Sequence, residues 1–149
     1  MCELIVLVKM SYPSNLSPVL SKILNKSFDK VGNLPLYRSD DELVIARWSR
    51  KYEDESIEYW YGLKARDFRL VNEHPVTHFG YVCAYDGVLM LPKEIVLNSV
   101  SKNKLNKSLN KYGELIHYHI RLSKKDGQMK WVQSEGRVEN VHSYYHYKL

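Results

Sequence analysis

The dipeptide Asp86-Gly87 constrains the fold more than any other feature, because it separates two apolar runs rich in β-branched and aromatic residues. Both central positions of a tight two-residue hairpin must tolerate positive φ, and Asp-Gly is a strong signal for such a turn. The sequence therefore predicts a hairpin between residues 77–85 and residues 88–91. A second hairpin, residues 115–122 with residues 129–133, is predicted around another Asp-Gly pair.

Three helices are indicated. Ser17 can cap the first, Pro18 suits its first turn, and the run ends at Gly32. Its apolar stripe consists of Leu20, Ile23, Leu24 and Phe28. Two shorter helices are predicted over residues 65–72 and, after Pro92, over residues 93–100.

The remaining strands are predicted at residues 3–10, 42–49, 56–63 and 141–149. The runs 42–49 and 56–63 are joined by a short polar stretch, so we expect them to pair as a hairpin. Residues 101–111 are rich in Lys, Asn and Ser, and we expect them either to continue the preceding helix or to form a mobile loop.

These elements predict one α+β domain over residues 1–149, with a mostly antiparallel twisted sheet and two or three helices packed on it. A chain of 149 residues with 44% hydrophobic side chains can bury a sizeable core without staples. No run approaches the ~18 apolar residues of a membrane span, so a cytoplasmic protein without membrane contact is expected. Cys2 and Cys83 have no metal or redox spacing, and both are expected to be reduced, with Cys83 in the core.

The positive charge of the chain is concentrated in residues 98–130. This stretch holds eight basic and two acidic side chains, while the rest of the chain is close to neutral. Such an excess is typical of a face that binds a polyanion. A solvated loop explains the same composition, and the sequence leaves both interpretations open.

Residues 116–122 alternate between apolar and polar side chains. As a strand they place His117, His119 and Arg121 on one face, where they can line a groove and donate to a phosphate or a base edge, or simply face solvent. Two histidines at this spacing can bind a metal, but the other histidines have no spacing that supplies a third ligand. No metal site is therefore predicted.

Alternation in the strand 56–63 places Trp60 on one face with Gly62 and Lys64. An aromatic plane beside a small residue and a cation can stack a nucleobase. Ordinary packing of a core tryptophan is the alternative.

The order of helices and strands over residues 18–91 resembles the PD-(D/E)XK nucleases. Asp40 or Asp41 precedes one strand, and Lys64 ends the next in Tyr61-Gly62-Leu63-Lys64. The resemblance implies a divalent metal held by clustered oxygen ligands, with a lysine that orients the attacking water. Gly62, however, occupies the position where that family needs a carboxylate or an amide. We therefore expect no metal-dependent cleavage by this chain.

A second resemblance covers more of the chain. It is carried by Tyr59-Trp60-Tyr61-Gly62, by Phe79-Gly80-Tyr81-Val82-Cys83 with Val88-Leu89-Met90-Leu91-Pro92, and by His117-Tyr118-His119-Ile120. These segments resemble an uncharacterised α/β module of bacterial and archaeal restriction and defence proteins. The resemblance implies a DNA-associated specificity module that works beside a nuclease or motor domain.

The leading hypothesis is therefore a domain that recognises DNA, with duplex favoured, and that needs no cofactor. The candidate nucleic-acid-binding residues are Trp60, Lys64, Lys102, Lys104, Lys107, Lys111, His117, His119, Arg121, Lys124 and Lys125. One alternative is a nuclease with ligands drawn from Asp40, Asp41, Glu58 and Asp86. Another is an interaction or homodimerisation module that uses the aromatic segment 144–147 as a sheet edge.

Overall fold

The computed structural model of the protein describes residues 12–54 and 56–147. The helices within these residues are α1 (Ser17–Leu24), α2 (Ala65–Glu73) and α3 (Lys93–Ser101). The strands within them are β1 (Asp29–Lys30), β2 (Leu36–Arg38), β3 (Leu43–Ser49), β4 (Tyr59–Leu63), β5 (His78–Cys83), β6 (Gly87–Pro92), β7 (Lys107–Leu109), β8 (Leu115–Lys125), β9 (Gln128–Val132), β10 (Val138–Asn140) and β11 (Tyr145–Tyr147). The strand predicted at residues 3–10 lies outside the described residues, as does Cys2.

The strands form two sheets. The first has the order β1-β2-β3-β5-β6-β11, and the second has the order β10-β9-β8-β4, with β7 paired to the first part of β8. Every pairing is antiparallel except that of β3 with β5. The prediction of an α+β fold with mostly antiparallel strands is confirmed, although the strands are divided between two sheets.

The main core lies between the two sheets. Alternate side chains of β3, β5 and β6 meet those of β4, β8 and β9, and Trp131, Tyr59 and Tyr81 are the largest side chains buried there. Cys83 belongs to this core, as predicted, and burial raises the pKa of its thiol to about 12. A thiol with so high a pKa is inert near neutral pH.

A smaller core covers the other face of the six-stranded sheet. There α1 packs through Leu16 and Leu20 against alternate residues of β3 and β6. The outer face of the five-stranded sheet has no such helix among the described residues.

Helix α1 is shorter than predicted. It ends at Leu24, and Asn25 adopts the left-handed conformation at φ 56°, which terminates a helix. Phe28 is buried as expected, but it lies beyond the helix, where its backbone N–H donates to Ser21 Oγ at 3.0 Å. Ser17 makes no capping hydrogen bond; its own N–H donates to Asn15 Oδ1 at 2.9 Å.

Both predicted hairpins are present, but the two-residue turn predicted at Asp86-Gly87 is wrong. The β8–β9 hairpin turns at Asp126 and Gly127, which have φ values of 54° and 75°. The β5–β6 hairpin pairs Cys83 with Gly87, so its loop has three residues, and the positive φ falls on Ala84 instead. Gly87 is required for another reason: a Cβ there would lie 2.4 Å from Tyr145 Oη on β11.

The hairpin predicted for residues 42–49 and 56–63 is wrong. β3 pairs with β2 and β5, whereas β4 pairs with β8 in the other sheet. β3 is buried on both faces, so its sequence carries no alternation that could reveal its partner. A hydrogen bond from the Trp60 backbone N–H to Ser49 Oγ, at 3.0 Å, still joins the two strands at one corner.

Residues 101–111 form neither a longer helix nor only a loop. Helix α3 ends at Ser101, and β7 pairs Ser108 with His117 of β8. The C-terminal segment contains a short 3₁₀ helix, His142–Tyr144, before the three-residue edge strand β11. Within the described part of the chain, no helix is both long and apolar enough to cross a membrane.

Candidate nucleic-acid interface

A chain of hydrogen bonds crosses the outer face of the five-stranded sheet. Trp60 Nε1 on β4 donates to His119 Nδ1 on β8 at 2.8 Å, and His119 Nε2 lies 2.8 Å from Ser108 Oγ on β7. The indole N–H can only donate, so His119 Nδ1 accepts and its proton resides on Nε2, which donates to Ser108. Three strands thus fix the orientation of the Trp60 ring.

His119 is held in its neutral form. Burial lowers the pKa of its imidazole, and His117 and Arg121, which can carry positive charge close by, lower that pKa further. Both ring nitrogens are engaged in the hydrogen-bond chain. His119 is therefore a positioning residue for Trp60, and neither nitrogen is left to donate to a phosphate or a base.

The other predicted residues of this face lie around Trp60. The rings of Trp60 and His117 are 5.3 Å apart and nearly perpendicular. Arg121 stands opposite Trp60 in the β4–β8 register, and its guanidinium donates to Asn106 Oδ1 at 2.8 Å. The alternation predicted for residues 116–122 is confirmed where Ile120 and Leu122 enter the core.

A groove of about 580 Å³ opens beside Trp60, at the corner where the ends of β3 and β4 meet. Its cationic side chains are Arg47, Arg50 and Lys64. Its aromatic and imidazole side chains are Tyr12, Trp48, Tyr52, Trp60 and His117, and Ser49, Tyr61 and Gly62 complete the lining, with the Tyr61 ring buried in the core. Among the described residues, no carboxylate lines this groove.

Arg47 is fixed at the edge of the core. Its guanidinium pairs with Asp67 of α2, a carboxylate that is 1% exposed and also accepts the Lys64 backbone N–H at 2.9 Å. Arg47 Nε is buried without a hydrogen-bond partner. A cation held in this way presents a defined position to an anion in the groove.

Gly62 forms the floor of the groove beside Trp60 and His117, whose rings contact each other, and a single Cβ there would already touch both side chains. A Cβ built at Gly62 would lie 3.5 Å from His117 Cγ and 3.6 Å from the Trp60 ring, which is ordinary van der Waals contact. The backbone of Gly62 has no positive φ that would exclude other residues. Packing within the chain therefore does not require a glycine at this position.

The predicted lysines are not gathered at the groove, except for Lys64. Lys107 stands opposite Tyr118, so alternation places it on the other face of the sheet from the histidines. Lys104 Nζ lies 3.7 Å from Glu139, and Lys124 lies over the rings of Tyr145 and Tyr147. Lys102 and Lys111 lie before and after β7, and Lys125 ends β8, whose 11 residues extend over about 30 Å. The basic stretch is thus spread along β8.

The carboxylates proposed for a nuclease do not converge. Asp41 lies 3.6 Å from Lys26, Glu58 accepts the Lys124 backbone N–H, and Asp86 accepts the Tyr59 hydroxyl. Within residues 12–54 and 56–147, no group of three or more His, Cys, Asp or Glu side chains is placed to hold a metal.

The sequence analysis did not predict three residues of the groove, namely Arg47, Arg50 and Tyr52. One signal could have identified Arg47: it is the charged residue in the otherwise apolar run Leu43–Ser49. A charge in a buried strand needs a partner or a function. Arg50 and Tyr52 stand in a contact of 4.3 Å between the guanidinium and the ring, a pairing that the sequence does not specify.

In comparisons with known proteins, no family model, no curated sequence and no solved structure matches this chain. The function has to be inferred from the groove and the sheet face themselves.

Proposed function

We propose that this protein is a DNA-binding recognition domain whose contact site is the groove beside Trp60. The observation that carries the proposal is the composition of the groove, which combines the exposed cations Arg50 and Lys64, the Asp67-paired Arg47 and several aromatic rings, with no carboxylate on its lining among the described residues. Cations neutralise phosphates, and aromatic rings stack on bases. This combination fits a nucleic acid better than a phosphorylated protein, for which aromatic walls are not needed.

Register supports a path for the phosphate backbone away from the groove. Leu63 of β4 and Lys107 of β7 both stand opposite Tyr118 of β8, and Lys64 follows Leu63 directly. Lys64 and Lys107 therefore lie at the same level of the sheet, on opposite sides of β8 and, by alternation, on opposite faces. A phosphate backbone that leaves the groove at Lys64 reaches the lysines around β7 by passing round this end of the sheet, and flexible lysine side chains suit that contact because they act as point charges.

The biological setting that fits this proposal is a restriction or defence system of the cytoplasm, with the chemistry supplied by a nuclease or motor partner. The setting rests on the resemblance of the segments around Trp60, Gly80 and His117. The groove is consistent with a module that recognises DNA and leaves the cleavage to its partner.

Self-association is a second candidate function, favoured by one observation. β11 forms one edge of the six-stranded sheet, and Tyr147 on it exposes 43% of its surface. An open strand edge can pair with the same edge of a second copy. This role requires a dimer in solution, which sedimentation of the protein without DNA measures.

The test is a titration of labelled duplex DNA at about 50 and about 200 mM salt. Binding through about five phosphate contacts should weaken more than tenfold between these concentrations. Arg50→Gln should weaken binding several-fold, since it removes an exposed cation of the groove. Arg38→Gln, the same change at an exposed position on β2 outside the groove, should leave the affinity unchanged.

Two results would overturn the proposal. The first is an absence of binding to any DNA at the lower salt concentration. The second is that the Arg50→Gln and Arg38→Gln variants bind duplex DNA with equal affinity and more weakly than wild type. Binding would then depend on net charge alone and not on the groove. Magnesium-dependent cleavage that disappears in Asp41→Ala or Lys64→Ala would instead support the nuclease alternative.

A further inference from the structure

We propose that the groove beside Trp60 takes one unpaired nucleotide, so that the protein prefers DNA in which a base has left the helical stack. This inference rests on the proposed function and specifies the state of its ligand. Three observations carry it: the aromatic lining, the glycine floor at Gly62 and the fixed cation Arg47.

The aromatic walls select an unpaired base. In a duplex both faces of each base are covered by its stacked neighbours, and only base edges and phosphates are accessible. Trp60 and the other rings that line the groove can contact a base face only when that base is extruded or single-stranded. The volume of about 580 Å³ falls in the range of sites for small molecules.

The floor at Gly62 shows where the base can enter. Glycine weakens a strand, because it adds backbone entropy to the unfolded state and has no side chain to pack. Neither the φ angle nor a steric conflict in this fold requires glycine here, since a Cβ would make only ordinary contacts with His117 and Trp60. The missing side chain does have a consequence for a ligand: the backbone of Gly62 lines the groove, so a planar ring can approach the strand there beside Trp60.

The cations then hold the phosphate of the same nucleotide. Arg47 is fixed by its pair with Asp67, and its side chain is 21% exposed, so part of the guanidinium can be reached from the groove. Arg50 and Lys64 line the same groove and are exposed. A fixed guanidinium with two mobile cations can bind a phosphate while the base occupies the aromatic end.

The experiment compares a fully matched duplex with the same duplex carrying one mispaired base, and with a single strand. Extrusion costs less for a mispaired base, so wild type should bind the mispaired duplex and the single strand about tenfold more tightly than the matched duplex. A nucleoside 5′-monophosphate should displace the single strand at concentrations where inorganic phosphate does not.

Gly62→Val fills the floor without changing charge. It should abolish the preference for mispaired and single-stranded DNA over matched duplex, because the valine side chain occupies the place of the base while the phosphate contacts remain. Gln128→Val, the same side chain on the same sheet face but outside the groove, should retain the preference. Gly62→Ala, whose Cβ fits at ordinary contact distance, and Trp60→Ala provide independent tests if thermal melting shows that the valine variant is unfolded.

The outcomes separate this inference from the proposed function. DNA binding with equal affinity for matched and mispaired duplexes overturns the inference alone. A preference that persists in folded Gly62→Val, or in both folded Gly62→Ala and Trp60→Ala, also overturns it, because the base then binds elsewhere. Absence of all DNA binding overturns the proposed function and the inference together.

Discussion

His119 shows how one hydrogen bond changes the role of a residue. Its position in the sequence indicates a side chain on the polar face of a strand, and the structure confirms that face. Its two nitrogens, however, are occupied by Trp60 and Ser108, each at 2.8 Å. Trp60 and Ser108 are distant from His119 in sequence, so alternation alone cannot show that the imidazole orients another side chain instead of contacting a ligand.

The same hydrogen bond predicts a dependence of stability on pH. The pKa of His119 lies below its ordinary value of 6.5 in the folded protein, so the neutral form is the one that stabilises the fold. This contribution is complete above pH 6.5 and disappears as the pH falls through the lowered pKa. His119→Gln should therefore lower Tm at pH 7.5, and the difference from wild type should shrink at pH 5.

Thermal melts at both pH values test this prediction. His146→Gln, which changes an exposed histidine on β11, is the matched control and should show no comparable decrease of Tm at pH 7.5. A Tm difference between wild type and His119→Gln that stays constant from pH 7.5 to pH 5 would contradict the titration of His119. The Trp60 hydrogen bond would then not depend on its protonation.

At the scale of elements, the sequence predicted the features that local chemistry determines. The two Asp-Gly hairpins and helices α2 and α3 follow from turn residues, apolar spacing and Pro92. The pairing of β3 with β5 does not, because β3 is buried on both faces and its partner is more than 25 residues away. β7 was also missed, since its three residues are polar or exposed and acquire order only by pairing with β8.

The sequence predicted that glycine is needed at residue 87 for a positive φ, and this reason was wrong. The close approach of β11 is the reason that the structure gives, and it can be tested. A Cβ at residue 87 would lie 2.4 Å from Tyr145 Oη and 2.6 Å from the His146 carbonyl oxygen. Gly87→Ala should therefore displace β11 from β6 and destabilise the protein by about 1–3 kcal/mol, the usual cost of overpacking. Urea denaturation measures this change.

Gly127→Asn is the control for that measurement. Gly127 has φ 75° with no other atom within 4 Å of a Cβ, and asparagine tolerates this conformation better than other residues. Its effect should stay below that of Gly87→Ala. Equal destabilisation of the two variants would mean that the approach of β11 is not what makes glycine necessary at residue 87.

On the scale of the whole molecule, the arrangement of layers decides which surface can act. Helix α1 covers one face of the six-stranded sheet, and the five-stranded sheet covers the other. The outer face of the five-stranded sheet carries the Trp60 groove at one corner. The composition of the chain predicted the excess of positive charge in residues 98–130 but not where that charge lies on the surface. The fold spreads this stretch along β8. It thereby separates the lysines around β7 from Lys124 and Lys125.

That separation predicts two independent contributions to DNA binding. Lys102, Lys107 and Lys111 are exposed near β7, and Lys104 lies there beside Glu139. Lysine ammonium groups can follow phosphates but have no fixed geometry for reading bases. Replacing all four by alanine should weaken binding to every DNA by a similar factor and reduce the salt slope by about one unit for each phosphate that is no longer neutralised. The ratio of affinities for mispaired and matched duplex should stay at its wild-type value, because the groove is intact.

Salt titrations of this quadruple variant beside Trp60→Ala make the comparison. Trp60→Ala should lower the ratio of affinities and leave the salt slope unchanged. If the quadruple variant keeps the wild-type slope and affinity, the segment around β7 is a solvated surface and the phosphates follow another path.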